Sequence, residues 1–238
     1  MKNQYYGDIN DYRKYGLLRV LSNGGAISTA VCWMLTDADT RNDGQFVTYL
    51  RQPERWRAYD PPLFDALARS LATPEGRNVA QAKETSIIPR ASYYDDLLTD
   101  AATIRRAYFE RFLDAAQGSD LVFFDPDNGL EVRSKPPGGK DSNKYLYYDE
   151  LARTFAANHS VLVYQHFPRI ERGAYLEMVA GNLRERTGAS EILSFRTANV
   201  AFLLIPQQQH RAYFEERSEQ VRATWGNQLT VASHSSPV

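Results

Sequence analysis

The sequence predicts an α/β domain in which helices flank a mostly parallel sheet. Three runs, at residues 27–35, 120–124 and 160–165, consist mainly of apolar side chains, which is typical of strands buried on both faces. Segments with the apolar spacing of amphipathic helices lie between these runs. Because strands that alternate with helices usually form a parallel sheet covered on both sides, we expect a Rossmann-like architecture.

Helices are predicted where apolar residues recur every three to four positions between local start and stop signals. The first follows Asn10 or Asp11, either of which could cap it, and Pro61 stands at the start of another. Gly118 ends the helix that precedes the run at 120–124. The predicted helices span residues 12–21, 61–72, 101–116, 148–157, 175–186 and 209–225.

Four further strands complete the predicted sheet. Short strands are expected at 46–50 and 85–88. Two more, at 191–195 and 199–205, are separated by three residues only, which favours an antiparallel hairpin. We expect this C-terminal hairpin to form one edge of the sheet.

The composition limits the class of protein. A chain of 238 residues can bury a sizeable core, and we expect a single α/β domain over 1–230 with a loose tail at 231–238. Cys32 is the single cysteine, which excludes an intrachain disulfide and a cysteine-rich zinc site. There is no apolar run of the roughly 20 residues that would cross a bilayer, and no signal-peptide pattern, so we expect a cytoplasmic protein without a membrane partner. The oligomeric state is left open.

Polar clusters directly follow the three apolar strands. Carboxyl ends of parallel strands meet at one edge of a sheet, where α/β proteins usually bind ligands. We therefore expect the three clusters to share a rim. They are Thr36, Asp37 and Asp39 after the first strand, Asp125, Asp127 and Asn128 after the second, and Gln165, His166 and Arg169 after the third.

The acidic loop Asp125-Pro126-Asp127-Asn128-Gly129 is the strongest candidate for chemistry. Each of these residue types also favours turns, so a purely structural loop is the alternative. A turn does not explain an acid directly after four apolar residues, where a carboxylate would lose much of its water. We take Asp125, Asp127 and Asn128 as catalytic candidates, with His166 as a possible general base.

Basic residues near the same rim suggest a polyanionic partner. Lys135, Lys140, Lys144 and Arg169 could contact phosphate, and Tyr164 could stack on a base. These residues predict a nucleic-acid or nucleotide substrate. The alternative is a solvated loop that happens to carry lysines.

Two other function classes remain open from the residues alone. Asp125, Asp127 and Glu131 could hold Mg²⁺ in a nuclease or phosphodiesterase. The rim could also be a non-catalytic module that binds nucleic acid. The sequence contains neither the glycine-rich dinucleotide fingerprint nor a P-loop.

The order of these segments resembles class I S-adenosylmethionine-dependent methyltransferases, and most of all the ribosomal-RNA adenine-N6 methyltransferases of the RlmJ type. That family begins with a polar segment that contains Gly-Asn and a lysine before a helix, which Gly7-Asp8 and Lys14 resemble. It carries Asp-Pro-Pro-Tyr after its fourth strand, where this chain has Asp125-Pro126-Asp127-Asn128.

The resemblance implies S-adenosylmethionine as cofactor and no metal. It implies that Asp125 binds the substrate amine, with Asp127-Asn128 in place of the family's Pro-Tyr. Thr36, Asp37 and Asp39 stand where the family has its glycine-rich cofactor loop, and Lys14 belongs to the N-terminal segment. These four residues are the cofactor-binding candidates.

Overall fold

The described residues of the computed structural model, 1–38, 44 and 46–235, form an α/β structure around a seven-stranded sheet. Its strand order is β2-β1-β3-β6-β8-β7-β9, and a separate two-stranded ladder joins β4 to β5. The strands are β1 (Thr29–Cys32), β2 (Ala91–Tyr94), β3 (Leu121–Phe124), β4 (Gly129–Leu130), β5 (Tyr145–Leu146), β6 (Ser160–His166), β7 (Glu191–Arg196), β8 (Val200–Ile205) and β9 (Thr230–Ser235).

Helices cover both faces of this sheet. They are α1 (Ile9–Ser22), α2 (Pro53–Trp56), α3 (Pro61–Ser70), α4 (Ala80–Glu84), α5 (Ala102–Ala115), α6 (Tyr148–Ala156), α7 (Arg172–Thr187) and α8 (Arg211–Trp225). On β3, Phe123 points into the core shared with α1, α3 and α8, and Phe124 points into the core shared with α5, α6 and α7. Both are fully buried, which explains why this strand is continuously apolar.

The central strands meet at a topological switch point. β1 pairs in parallel with β2 on one side and with β3 on the other, and β3 continues in parallel to β6. The chain therefore winds outward in two directions from the boundary between β1 and β3. A crevice opens beside such a boundary at the carboxyl ends of the strands.

The predicted fold class is confirmed. The core of the sheet is mostly parallel, and the C-terminal strands β8 and β7 form an antiparallel hairpin in which β8 lies between β6 and β7. The hairpin does not form the edge itself, because β9 pairs antiparallel with β7. His234 of β9 is buried and lies 2.8 Å from the Ser194 hydroxyl.

Three segments differ from the sequence prediction. Residues predicted to be a loose tail form β9 as far as Ser235, because pairing with β7 satisfies their backbone groups. A short 3-10 helix covers Thr48–Arg51, where a strand is predicted. The strand beside β1 is Ala91–Tyr94 and not 85–88, since Thr85 and Ser86 close the end of α4 by hydrogen bonds to Gln81 and Lys83.

Gly16 lets α1 and α8 approach each other closely. A Cβ at this position would lie 2.1 Å from Cζ2 of the buried Trp225 side chain. Because that indole is packed against Tyr12 and Tyr59, it has little room to move aside. Gly16 therefore permits the close packing of α1 against α8, because it has no side chain.

We expect Gly16→Ala to lower the free energy of unfolding by about 1–3 kcal/mol through overpacking. Denaturation in urea measures the change. Gly181→Ala is the matched control, since Gly181 also lies in a helix and has no atom within 4 Å of a Cβ placed there. That variant should gain about 0.5–1 kcal/mol from helix propensity. Equal effects of the two variants would contradict the close approach.

Candidate functional site

A cavity of about 350 Å³ opens at the carboxyl ends of β3 and β6, beside the start of α1. Its lining brings together residues that are far apart in the sequence. Those that matter here are Asp8, Asp11 and Lys14 from the N-terminal segment, Asp125, Asp127 and Asn128 from the acidic loop, and Lys144, Tyr164 and His166.

A buried ion-pair network joins α1 to the end of β3. The Lys14 ammonium lies 2.7 Å from Oδ1 of Asp11 and 2.6 Å from Oδ2 of Asp125. All three side chains are 3% exposed. Burial alone would lower the pKa of Lys14, but the two carboxylates raise it above its ordinary value. Lys14 is therefore a permanent cation between two buried acids.

Asp125 holds its place because its backbone extends β3. Its N–H donates to the carbonyl of Cys32 at 3.0 Å, which continues the β1–β3 pairing by one residue. The side chain then points away from the strand end toward α1, where Lys14 meets it. With 2% of its surface exposed, Asp125 is a buried acid with a fixed partner.

Asp127 belongs to a second buried ion pair at the switch point. The α-ammonium of Met1 lies 2.6 Å from Asp127 Oδ1 and donates to the carbonyls of Asp125 and Met34, at 3.0 and 3.3 Å. Thr36 donates its hydroxyl to Asp127 Oδ2 at 2.9 Å. Burial would raise the pKa of Asp127, but the ammonium holds it below its ordinary value. Two carbonyls and one carboxylate thus form a receptor for an ammonium group.

Asp8 caps α1 and lines the cavity. Its Oδ1 accepts hydrogen bonds from the N–H groups of Asn10 and Asp11, at 2.8 and 2.9 Å. Within the described part of the chain, its Oδ2 has no hydrogen-bond partner. Burial raises the pKa of Asp8 to about 7, and the nearby charge of Asp11 adds to the effect.

Asn128 and His166 also line the cavity. The Asn128 carbonyl accepts from the His166 N–H at 3.3 Å, and the Asn128 N–H donates to the Lys144 carbonyl at 2.9 Å. These bonds use backbone atoms, so the Asn128 side chain is left to face the cavity. Partial burial lowers the pKa of His166, although its side chain remains exposed.

The Gln165 side chain hydrogen-bonds to the backbone that follows the acidic loop. Its Oε1 accepts from the Leu130 N–H at 2.8 Å, and a Cβ on Gly129 would lie only 2.4 Å from that oxygen. Gly129 also adopts φ +113°, a conformation that strongly favours glycine. The glycine of the acidic loop therefore serves backbone geometry.

The predicted basic residues do not all reach the cavity. Lys144 lines it and pairs with Asp141 at 2.9 Å. Lys135 pairs with the same carboxylate at 3.0 Å but lines a larger cavity of about 770 Å³, between the Leu130–Pro137 segment and helices α6 and α7. Lys140 and Arg169 are exposed and line neither cavity. Tyr164 lines the first cavity, with its ring centre 5.3 Å from the Lys14 ammonium.

The cofactor-binding and metal-binding candidates are also separated. Lys14 is buried in its ion pairs with Asp11 and Asp125, and Thr36 is buried and hydrogen-bonded to Asp127, whereas Asp37 is exposed. Asp39 lies outside the described residues. Glu131 accepts from the Tyr148 N–H at 3.0 Å and lines the larger cavity, away from Asp125 and Asp127. In the described ranges, no group of three or more histidine, cysteine or acidic side chains is placed to hold a metal.

Asp8 and Asp11 are site residues that the sequence prediction omits. The prediction considers Asp11 only as a possible helix cap. A signal was present: Asp8, Asp11 and Lys14 follow each other at intervals of three, so in a helix that starts at Ile9 they fall on neighbouring positions of one side.

No protein-family model and no curated protein matches the sequence. Among solved structures, a Legionella pneumophila protein assigned to the DUF519 family is similar, with a TM-score of 0.48 and 10% sequence identity over 97% of this chain and 98% of that one. Among the helices described above, none combines the length and the apolar character that a bilayer-spanning segment needs.

We expect Lys14→Met to lower the free energy of unfolding by about 3–5 kcal/mol, because it leaves buried carboxylates without their counter-charge. Urea denaturation measures the loss. Arg57→Met is the control: Arg57 pairs with Asp65 at 2.7 Å on the surface, and its removal should change stability little. A loss of less than about 1 kcal/mol for Lys14→Met would contradict the network.

Asp8 should make the protein less stable as the pH rises from about 4 to about 7. Its folded pKa of about 7 exceeds the ordinary 3.8, so the folded state keeps a proton in this window that the unfolded chain has released. Asp8→Asn keeps the helix cap but cannot ionise. Its stability relative to wild type should therefore increase across this window, as measured by denaturation at several pH values. Parallel pH profiles would show that Asp8 titrates normally.

Proposed function

We propose that the protein is a methyltransferase-like enzyme that acts on an amino group of nucleic acid or a nucleotide, with S-adenosylmethionine as methyl donor. The observation that carries the proposal is the 2.6 Å ion pair between Lys14 and Asp125. It joins the two segments on which the resemblance rests, although they lie 111 residues apart in the sequence. Their meeting point is at the carboxyl end of β3, where an α/β sheet with this switch point binds ligands.

The chemistry of the ammonium receptor suits the cofactor's amino-acid end. S-adenosylmethionine carries the α-ammonium group of methionine, and Met1 places that same group between Asp127 and the carbonyls of Met34 and Asp125. Met34 has φ +45°, in the left-handed region that favours glycine. The backbone at the end of β1 therefore has a glycine-like conformation, although the glycine-rich sequence is absent.

Different residues of this chain would bind the cofactor and the substrate. Asp127 and the two carbonyls would hold the amino-acid end of the cofactor once its ammonium group replaces that of Met1. The cofactor would supply a methyl group bonded to a positively charged sulfur. Thr36 orients Asp127, and Lys14 holds Asp125 in place. Asn128 and His166 face the cavity and are available to a substrate, and Lys144 at its border is available to a phosphate.

The Mg²⁺-dependent alternative receives no support from side-chain placement. Asp125 and Asp127 each face an ammonium group, and Glu131 lines another cavity. Hard divalent cations need several oxygen ligands directed at one point.

We expect S-adenosylmethionine and its homocysteine product to raise the unfolding free energy, by about 2.7 kcal/mol at a hundred times the dissociation constant. Titration calorimetry should show at least tenfold weaker binding of 5′-methylthioadenosine, which lacks the ammonium. Asp127→Lys should remove this preference, because it places a cation in the receptor.

Glu131→Gln is the matched control, since Glu131 lies in the larger cavity and should not influence cofactor binding. Absence of any binding by S-adenosylmethionine or its product would overturn the proposed function and favour a non-catalytic binding module. A melting shift with Mg²⁺ that Asp125→Asn abolishes would instead favour the metal-dependent alternative.

A further inference from the structure

The larger cavity, of about 770 Å³, has the size and the apolar walls of a ligand site. Val132 and Met178 belong to its lining and are 43% and 52% exposed, so both present apolar surface to solvent there. Two half-buried tyrosines, Tyr148 and Tyr175, line it as well. The Arg186 guanidinium lies 5.9 Å from the centre of the Tyr148 ring. Aromatic rings and guanidinium planes are the surfaces on which unpaired bases stack.

The charges of this cavity do not favour an anion in its interior. Apart from Lys135, its lining contains four acids and two arginines, which are Glu131, Asp149, Glu150 and Glu185, and Arg133 and Arg186. A third arginine, Arg105, lies outside the lining and binds Glu150 at 2.6 and 2.7 Å. The acids are therefore not outnumbered, and the apolar walls suit an uncharged planar group.

A cluster of lysines connects the larger cavity to the first one. Lys135 lines the larger cavity and Lys144 the first, and they contact the two oxygens of Asp141 at 3.0 and 2.9 Å. Lys140 is exposed and precedes Asp141, while Asp100 accepts the Asp141 N–H at 2.9 Å. We call these five residues the lysine ridge. Its three lysines outnumber its two acids, so it attracts a phosphate.

The two cavities are direct neighbours. Asn128 lines the first and Leu130 the larger one, and two residues of chain separate their Cα atoms by at most about 7 Å. Lys144 and Tyr147 are divided between the cavities in the same way. The β4–β5 ladder thus lies between two sites that successive nucleotides of one strand could fill.

We propose that the larger cavity binds the base next to the target nucleotide on a single strand, while the phosphate between them lies on the lysine ridge. This inference rests on the proposed function and specifies its substrate as a strand, with the target nucleotide in the first cavity. The placement of charge supports this division, because the uncharged base enters the apolar cavity and the phosphate stays with the lysines. Single-strand binding sites commonly combine stacking surfaces with cations in this manner.

Fluorescence anisotropy with labelled adenosine mononucleotide and trinucleotide tests the proposal. Wild type should bind the trinucleotide at least tenfold more tightly, since a second stacked base adds to the affinity. Met178→Glu places a charge in the larger cavity and should lose most of this gain. Leu97→Glu is the matched control, because Leu97 is 53% exposed and lines neither cavity.

The salt dependence of trinucleotide binding tests the lysine ridge. Loss of one phosphate contact in Lys135→Gln should reduce the slope of log affinity against log salt concentration by about 0.7. Lys83→Gln is the control and should leave the slope unchanged, since Lys83 is an exposed residue of α4 and lines neither cavity.

Equal affinity of the wild type for both lengths would overturn the proposal. So would a gain with length that survives in Met178→Glu, or an equal loss in Met178→Glu and Leu97→Glu. Cofactor binding is measured separately by calorimetry, so the two proposals fail independently. A gain with length but no cofactor binding would refute methyl transfer and leave a strand-binding module, whereas cofactor binding without that gain would leave an enzyme that acts on a single nucleotide.

Discussion

The Lys14 ammonium, buried between Asp11 and Asp125, is the interaction on which the site depends. Removal of these three charges from water is costly, and contacts of 2.6 and 2.7 Å offset that cost only while α1 and the end of β3 keep their distance. The same contact fixes two neighbours. Asp8 precedes the helix by one residue, and Asp127 follows Asp125 by two, so both are positioned by a bond in which neither takes part.

Much of the fold follows from local pattern. The strands beneath the cavity are continuously apolar because helices cover both faces of the sheet, and sequence reasoning detects such runs directly. The ends of these strands are harder to predict from the sequence. The predicted strand 27–35 is reduced to Thr29–Cys32, and Met34, which is buried beyond its end, has a left-handed backbone conformation that a strand does not allow. Apolar character indicates that a segment is buried, but it does not distinguish a strand from a buried irregular segment.

The cavity could be predicted in part for a similar reason. Asp125, Asp127 and Asn128 follow a recognisable strand, and the parallel order brings His166 to the same rim. Asp8 could not be found this way, because it precedes α1 and does not follow a predicted strand. Strand β9 was also not predicted, because its sequence is mostly polar. Its backbone is ordered by pairing with β7. The sequence also could not show that Lys135 and Lys144 pair with the same carboxylate, that of Asp141.

The close contact between Gly16 and Trp225 has a consequence for how the protein is made. Helix α1 carries Lys14 and borders the cavity, yet it packs against α8, which the ribosome delivers about two hundred residues later. Tyr213 and Gln228 reinforce the contact by hydrogen bonds to Leu21 and Arg13. Contacts between such distant segments slow folding, because a long loop must close before they form. During synthesis, α1 can therefore make this contact only after α8 has left the ribosome.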